Sequence, residues 1–137
     1  MKQKILVTGG TGYIGSHTTV ELQQAGYRVV SVDNFSNSNA AVLDGIARIT
    51  GVRPDFYEAD CNDTEAMERV FTAHPDIAGV IHFAASKAVG ESVQKPLLYY
   101  RNNILSLLNI LELMERFGIR GIVFSSSCTV YGQPEVL

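Results

Sequence analysis

The segment Thr8-Gly9-Gly10-Thr11-Gly12-Tyr13-Ile14-Gly15 follows a short apolar run and carries glycines in two overlapping patterns, Gly10-x-Gly12-x-x-Gly15 and Gly9-x-x-Gly12-x-x-Gly15. Such a turn suits an anionic ligand. Glycine takes backbone angles that other residues resist, and its missing Cβ lets a pyrophosphate approach the helix that follows. The first N–H groups and the positive dipole end of that helix then hold the anion. A glycine-rich turn with no ligand is the plain alternative. About 18 residues past Gly15 stands Asp33, where an acid that takes ribose hydroxyls is expected, although an isolated Asp at a strand end otherwise serves as a turn former or cap. With turn and acid in register, the segment reads as a dinucleotide site. A carboxylate accepts bonds from both ribose hydroxyls and repels a 2′-phosphate, and Arg28, the nearest cation, lies at the other end of the strand. NAD is therefore expected over NADP.

These residues need a scaffold, and the chain alternates short Val/Ile/Phe-rich runs with helical patterns. Strands are expected at Lys4–Thr8, Arg28–Asp33, Asp55–Glu58, Gly79–Phe83 and Gly121–Ser125, and helices near Ile14–Ala25, Ala40–Thr50, Thr64–Ala73 and Leu97–Phe117. Ile14, Thr18, Leu22 and Ala25 share a helical face that Gly26 ends, and Val42, Leu43, Ile46 and Ile49 share another before Gly51. Asn62 and Glu65 resemble a capping pair ahead of Met67, Val70 and Phe71. Strict alternation predicts an α/β fold, a Rossmann-type doubly wound parallel sheet with right-handed crossovers, as one domain over residues 1–137.

Composition narrows the function. A length of 137 residues allows one real core, and 46% apolar with 18% charged residues is ordinary globular usage. A net charge of -3 argues against a general nucleic-acid binder. No run reaches the length of a membrane span, and Ile5-Leu6-Val7 is too short for a signal segment. Cys61 and Cys128 form no CxxC pair, so a reducing, cytoplasmic setting is expected. His17, His74 and His82 are scattered without ligand spacing, so no metal site is expected. Cys128 reads as a packing residue, with no nearby base to activate it.

The glycine pattern resembles that of the extended short-chain dehydrogenase/reductase superfamily. Ile81-His82-Phe83-Ala84-Ala85-Ser86-Lys87-Ala88-Val89-Gly90-Glu91-Ser92-Val93 and Phe124-Ser125-Ser126-Ser127-Cys128-Thr129-Val130-Tyr131-Gly132 resemble the UDP-glucose 4-epimerase family within it. The resemblance covers essentially the whole chain. It implies that Gly9, Gly12, Tyr13, Ile14 and Gly15 lie against a pyrophosphate. Asp33, Asn34, Phe35, Ser36, Asn37 and Ser38 would surround the adenosine ribose, and Asp60 and Cys61 would border the adenine. Phe83, Ala84, Ala85, Ser86 and Lys87 would line the path to the nicotinamide, with Lys87 reaching ribose or phosphate oxygens. Asn102 would hold cofactor groups from its helix, Ser125 would support the nicotinamide region, and Ser127, the catalytic residue, would hydrogen-bond the reacting hydroxyl of a UDP-sugar. As plain alternatives, serines at a strand end can merely satisfy backbone groups, and Lys87 can be an ordinary solvated lysine, although its place after the fourth strand favours the cofactor role.

In the resembled family, NAD is used without net redox change, and a tyrosine kept acidic by a lysine removes the proton of the sugar 4-hydroxyl. The six tyrosines here, Tyr13, Tyr27, Tyr57, Tyr99, Tyr100 and Tyr131, are followed four residues on by His17, Ser31, Cys61, Asn103, Ile104 and Glu135, never by lysine. The ending Pro134-Glu135-Val136-Leu137 is expected to be a truncation, with later strands and a sugar-binding domain missing and the chain inactive alone. The Leu97–Phe117 helix bears Ile104, Leu105, Leu107, Leu108, Ile110, Leu111, Leu113, Met114 and Phe117, apolar nearly all round. One side must pack on the sheet; the other is expected to form a homodimer interface, unless a missing part of the chain covers it.

Overall fold

A computed structural model describes residues 2–86, 89–127 and 132. Five parallel strands, β1 (Lys4–Thr8), β2 (Arg28–Asp33), β3 (Asp55–Glu58), β4 (Ile77–His82) and β5 (Gly121–Phe124), form one sheet in the order β3-β2-β1-β4-β5. The helices between them are α1 (Tyr13–Gln24), α2 (Ala41–Thr50), α3 (Thr64–Ala73), α4 (Val89–Gln94), α5 (Pro96–Tyr100) and α6 (Ser106–Arg116). The chain leaves β1 for β2 and β3 on one side, then returns to set β4 on the other. The order therefore reverses beside β1, where a crevice opens at the carboxyl ends of β1 and β4.

Strand alternation divides the core. Leu6, Val30, Val32 and Val80 face Met67, Val70 and Phe71 of α3 and Ile110, Leu113 and Met114 of α6, all of them buried. On the other face α1 packs against α2, where Leu43 and Ile46 are buried. Completely burying a side chain such as Leu6 or Phe71 stabilises the fold by about 1.5–3 kcal/mol. Gly51, in the left-handed region at φ 76°, ends α2 as its position after the apolar stripe predicts.

Several expectations need correcting. Ile14 is 49% exposed, Ala25 is exposed, and α1 instead buries Gly15 and Thr19. Small residues on that stripe let the first turn of α1 lie close to the glycine turn. Ile49 is likewise exposed near the end of α2. The cap of α3 is Asp63, whose carboxylate accepts from the Ala66 N–H; Asn62 turns its amide to Asp60 and Asn102 instead. Strand β4 begins two residues earlier than expected and ends at His82, while β5 ends at Phe124.

The long apolar helix is the largest correction. Its span divides into α5, a π turn at Arg101–Leu105 and α6, and α4 precedes it. Neighbouring residues on an α-helix point about 100° apart, so a straight helix would aim Asn102 and Asn103 differently. With the wider turn both amides reach Ser86: Asn102 Nδ2 donates to its Oγ at 2.5 Å, and Asn103 takes its N–H at 2.7 Å and donates to its carbonyl at 3.1 Å.

Candidate functional site

The turn after β1 shows which glycines matter to a ligand. Gly9 sits at φ 69°, and a Cβ there would come within 2.9 Å of the Ala84 nitrogen. A Cβ on Gly15 would stand 2.0 Å from the Gly9 carbonyl oxygen, so the turn and α1 touch backbone to backbone. Gly10 faces down onto Ser31, whereas Gly9, Gly12 and Gly15 line a cleft of about 380 Å³. The Gly9-x-x-Gly12-x-x-Gly15 pattern is thus the one that meets the cleft. Gly12 is the N-cap of α1 and supplies no side-chain cap, which leaves the first N–H groups of that helix for another acceptor.

Asp33 ends β2 at the far side of this turn. Its carboxylate accepts from the Thr11 N–H at 3.2 Å and from the Phe35 N–H at 3.0 Å, which fixes its orientation. Thr11 and Ser38 share a hydroxyl bond of 2.6 Å, holding the Asn34–Ser38 loop against the glycine turn. Asp60 accepts from the Asn34 amide at 3.5 Å, and Cys61 is buried beside it. Burial first, and then the Asp60 and Asp33 carboxylates, push the Cys61 thiol up to about 12. That thiol stays protonated and is no nucleophile.

The cleft brings together Gly9, Gly12, Tyr13, Ile14, Gly15, Asp33, Asn34, Ser36, Asn37, Ser38, Asp60, Cys61, Phe83, Ala84, Ala85, Ser86 and Asn102, all singled out in the sequence. Phe35 is not in the lining. Its backbone takes a left-handed turn at φ 57°, and its ring rests on Phe56 at 5.0 Å. Ser125, half-buried past β5, donates its N–H to the His82 carbonyl at 3.3 Å and lies outside the cleft lining, as does the exposed Ser127. Lys87 and Cys128 lie outside the described residues. Three lining residues had not been expected: Val32, Ala59 and Ser106. Val32 and Ala59 each immediately precede an expected acid, whereas no local motif marks Ser106, whose place comes from His82 beneath the cleft.

Among the described residues, no lysine or arginine lines the cleft. Arg28 pairs with Asp55 at 3.6 Å, at the opposite end of β2 from Asp33. No three His, Cys, Asp or Glu side chains among the described residues are grouped to hold a metal, and none of the described helices is long and apolar enough to cross a membrane.

This strand order, with a glycine turn facing an acidic strand end across a crevice, defines a Rossmann-type α/β domain. The chain belongs to the NAD dependent epimerase/dehydratase family, whose model matches residues 5–136. It is 57% identical over 131 residues to the UDP-glucose 4-epimerase of Bacillus subtilis (strain 168), covering 96% of this chain and 38% of that protein. UDP-glucose 4-epimerase 2 of Arabidopsis thaliana is 49% identical over 138 residues, covering 98% of this chain and 39% of that protein. In structure the chain is similar to the UDP-glucose 4-epimerase of Bifidobacterium longum in complex with NAD+ and UDP, with a TM-score of 0.92 and 49% identity over 98% of this chain and 40% of that one. The chain therefore spans about two-fifths of the length of the relatives it matches.

Proposed function

We propose that this chain is the NAD-binding portion of a UDP-glucose 4-epimerase, which interconverts UDP-glucose and UDP-galactose through a transient 4-keto sugar. The observation that carries this reading is the convergence of the glycine turn, Asp33 and the Phe83–Ser86 segment on one cleft. The uncapped first turn of α1 fits a pyrophosphate, and a carboxylate with no cation beside it in the described lining fits an unphosphorylated ribose. NAD held there would supply the redox chemistry, as a reversible hydride acceptor for the sugar.

This chain's residues bind and orient. Gly12, Tyr13, Ile14 and Gly15 take the pyrophosphate, and Asp33 with the Asn34–Ser38 loop takes the adenosine ribose. Asp60 and Cys61 border the adenine. Phe83–Ser86 and Asn102 wall the other half of the dinucleotide. By the family resemblance, Lys87 and Ser125 serve that half and Ser127 holds the reacting sugar hydroxyl. The Tyr-x-x-x-Lys pair is not in these residues, so the chain as written is expected to bind NAD and not to turn over. A cytoplasmic setting accords with the buried free thiol of Cys61. A homodimer through the α5–α6 region accords with the exposure of Leu97, Leu98, Ile104, Leu105, Leu108 and Leu111.

Calorimetric titration with NAD and NADP tests the reading. Tighter NAD binding is expected, and equal or tighter NADP binding overturns it. Conversion of UDP-galactose by the pure 137-residue species overturns the assignment of the chain as a cofactor-binding portion only.

A further inference from the structure

Beneath the cleft, a chain of buried polar groups ties three elements together. The Ala84 N–H donates to Thr8 Oγ1 at 3.3 Å, and Thr8 Oγ1 lies 2.7 Å from His82 Nδ1. On the far side of the imidazole, Nε2 lies 3.5 Å from Ser106 Oγ, which donates to the Asn103 carbonyl at 3.2 Å. Thr8, His82 and Ser106 are each at most 2% exposed, so water does not compete for these bonds.

Thr8 Oγ1 also meets the Cys61 thiol, which stays protonated and can donate to it, so a count of protons favours one direction along the run. Each hydroxyl has a single hydrogen to give. If Thr8 donates to Nδ1 and Nε2–H donates to Ser106, every contact from Ala84 to Asn103 is satisfied in one sense. In the reverse arrangement Nε2 needs a proton from Ser106, which must then leave the Asn103 carbonyl. A buried imidazole is also hard to charge: burial lowers its pKa from 6.5 to about 4, which keeps the ring neutral at pH 7.

We propose that His82 is a positioning residue for the cleft: as its Nε2–H tautomer it links the end of β1 to the π turn and sets the gap between the glycine turn and the Phe83–Ser86 wall. This rests on reading the cleft as a dinucleotide site. Thr8 immediately precedes Gly9 and accepts from Ala84, so one end of this hydrogen-bonded run joins two residues that approach each other closely, Gly9 and Ala84. Asn103, which receives the far end, clamps Ser86 through two backbone bonds. The glycine turn is held independently, by the Gly9 N–H on the Val32 carbonyl at 2.8 Å. Loss of His82 should therefore shift the wall and leave the turn and Asp33 in place.

The test compares NAD with ADP, which lacks the half that meets the wall, by calorimetry on the full chain. His82→Phe is expected to weaken NAD about tenfold while ADP stays within about twofold. His82→Asn, whose amide oxygen can accept from Thr8 but whose side chain is too short to reach Ser106, is expected to recover only the part of the loss that the Thr8 link carries. Ring-nitrogen NMR of the wild type should show the proton on Nε2 of His82. Unchanged NAD affinity in folded His82→Phe, a parallel loss of NAD and ADP, or a proton on Nδ1 overturns the proposal. If His82→Phe does not fold, Ser106→Ala cuts only the outer link and is expected to weaken NAD about threefold with ADP unaffected; no change there overturns it equally. A wild-type chain that binds neither nucleotide removes the dinucleotide reading itself, and this inference with it.

Discussion

Replacing Gly15 by alanine sets two effects of opposite sign against each other. Gly15 lies inside α1, where alanine is the better helix former by about 1 kcal/mol. Against that, the new Cβ would stand 2.0 Å from the Gly9 oxygen, 2.9 Å from the Gly9 carbonyl carbon and 3.0 Å from the Gly10 Cα. A carbon–oxygen contact relaxes at about 3.3 Å, so the helix or the turn must move by about 1.3 Å, and both are backbone. With backbone atoms on both sides of the clash, overpacking falls in the upper part of its usual range, about 2–3 kcal/mol, which outweighs the propensity gain and leaves a net loss of about 1–2 kcal/mol. The urea midpoint should fall by about 0.5–1 M, and NAD affinity should drop about tenfold or more as the first N–H groups of α1 shift. Gly12→Ala is the control. Gly12 has ordinary extended angles, φ -68° and ψ 172°, and its Cβ would meet only the Gly9 oxygen, at 3.3 Å. Its unfolding free energy should stay within about 0.5 kcal/mol of wild type while NAD binding falls, because Gly12 lines the cleft. A Gly15→Ala chain with an unchanged midpoint, or a Gly12→Ala chain that unfolds early, would refute this account of the turn.

Other outcomes follow from single contacts. Asp33→Asn should narrow the preference for NAD over NADP by about tenfold, read by parallel titrations, since the charge that repels a 2′-phosphate is gone. His82 has a folded pKa below its unfolded value, so the unfolded chain binds more protons on the acid side. Stability is full above about pH 6.5 and falls as pH drops toward 4, by about 3 kcal/mol at most, with burial and the Lys4 charge at His74 adding in the same direction. Urea midpoints that stay flat from pH 7 to 4.5 would contradict it. The Ser31 hydroxyl is buried without a hydrogen-bond partner, so Ser31→Ala should be neutral or stabilising by up to about 1 kcal/mol in the same denaturation assay. Light scattering should find a dimer that an Ile104→Asp, Leu108→Asp double variant converts to monomer; a monomeric wild type speaks against the helical interface.

Periodicity and turn residues made the sheet legible, because five short apolar runs separated by helical patterns admit few topologies. Binary pattern served less well where the helix must approach backbone rather than side chains. In α1 the buried stripe runs through Gly15 and Thr19, residues that carry no apolar signal. The π turn was hidden for a similar reason. Nothing in Arg101-Asn102-Asn103-Ile104-Leu105 marks an extra residue per turn; the bonds that the turn allows are to Ser86, distant in sequence. The cleft itself was largely readable, since motif residues at strand ends converge by topology. Ser106 was missed because its role comes from His82 beneath the cleft rather than from any local motif.

The place of β1 in the strand order has a consequence for the chain as it leaves the ribosome. β1 takes its first neighbour once Arg28–Asp33 has been made, but its second, Ile77–His82, follows only after the whole β2–α3 stretch. At about 5–20 residues per second, that delay is on the order of several seconds. Throughout it, the Ile5-Leu6-Val7 edge stands open to any strand of suitable pattern, so a strand with neighbours on both sides in the described sheet is an exposed margin while the chain is being made.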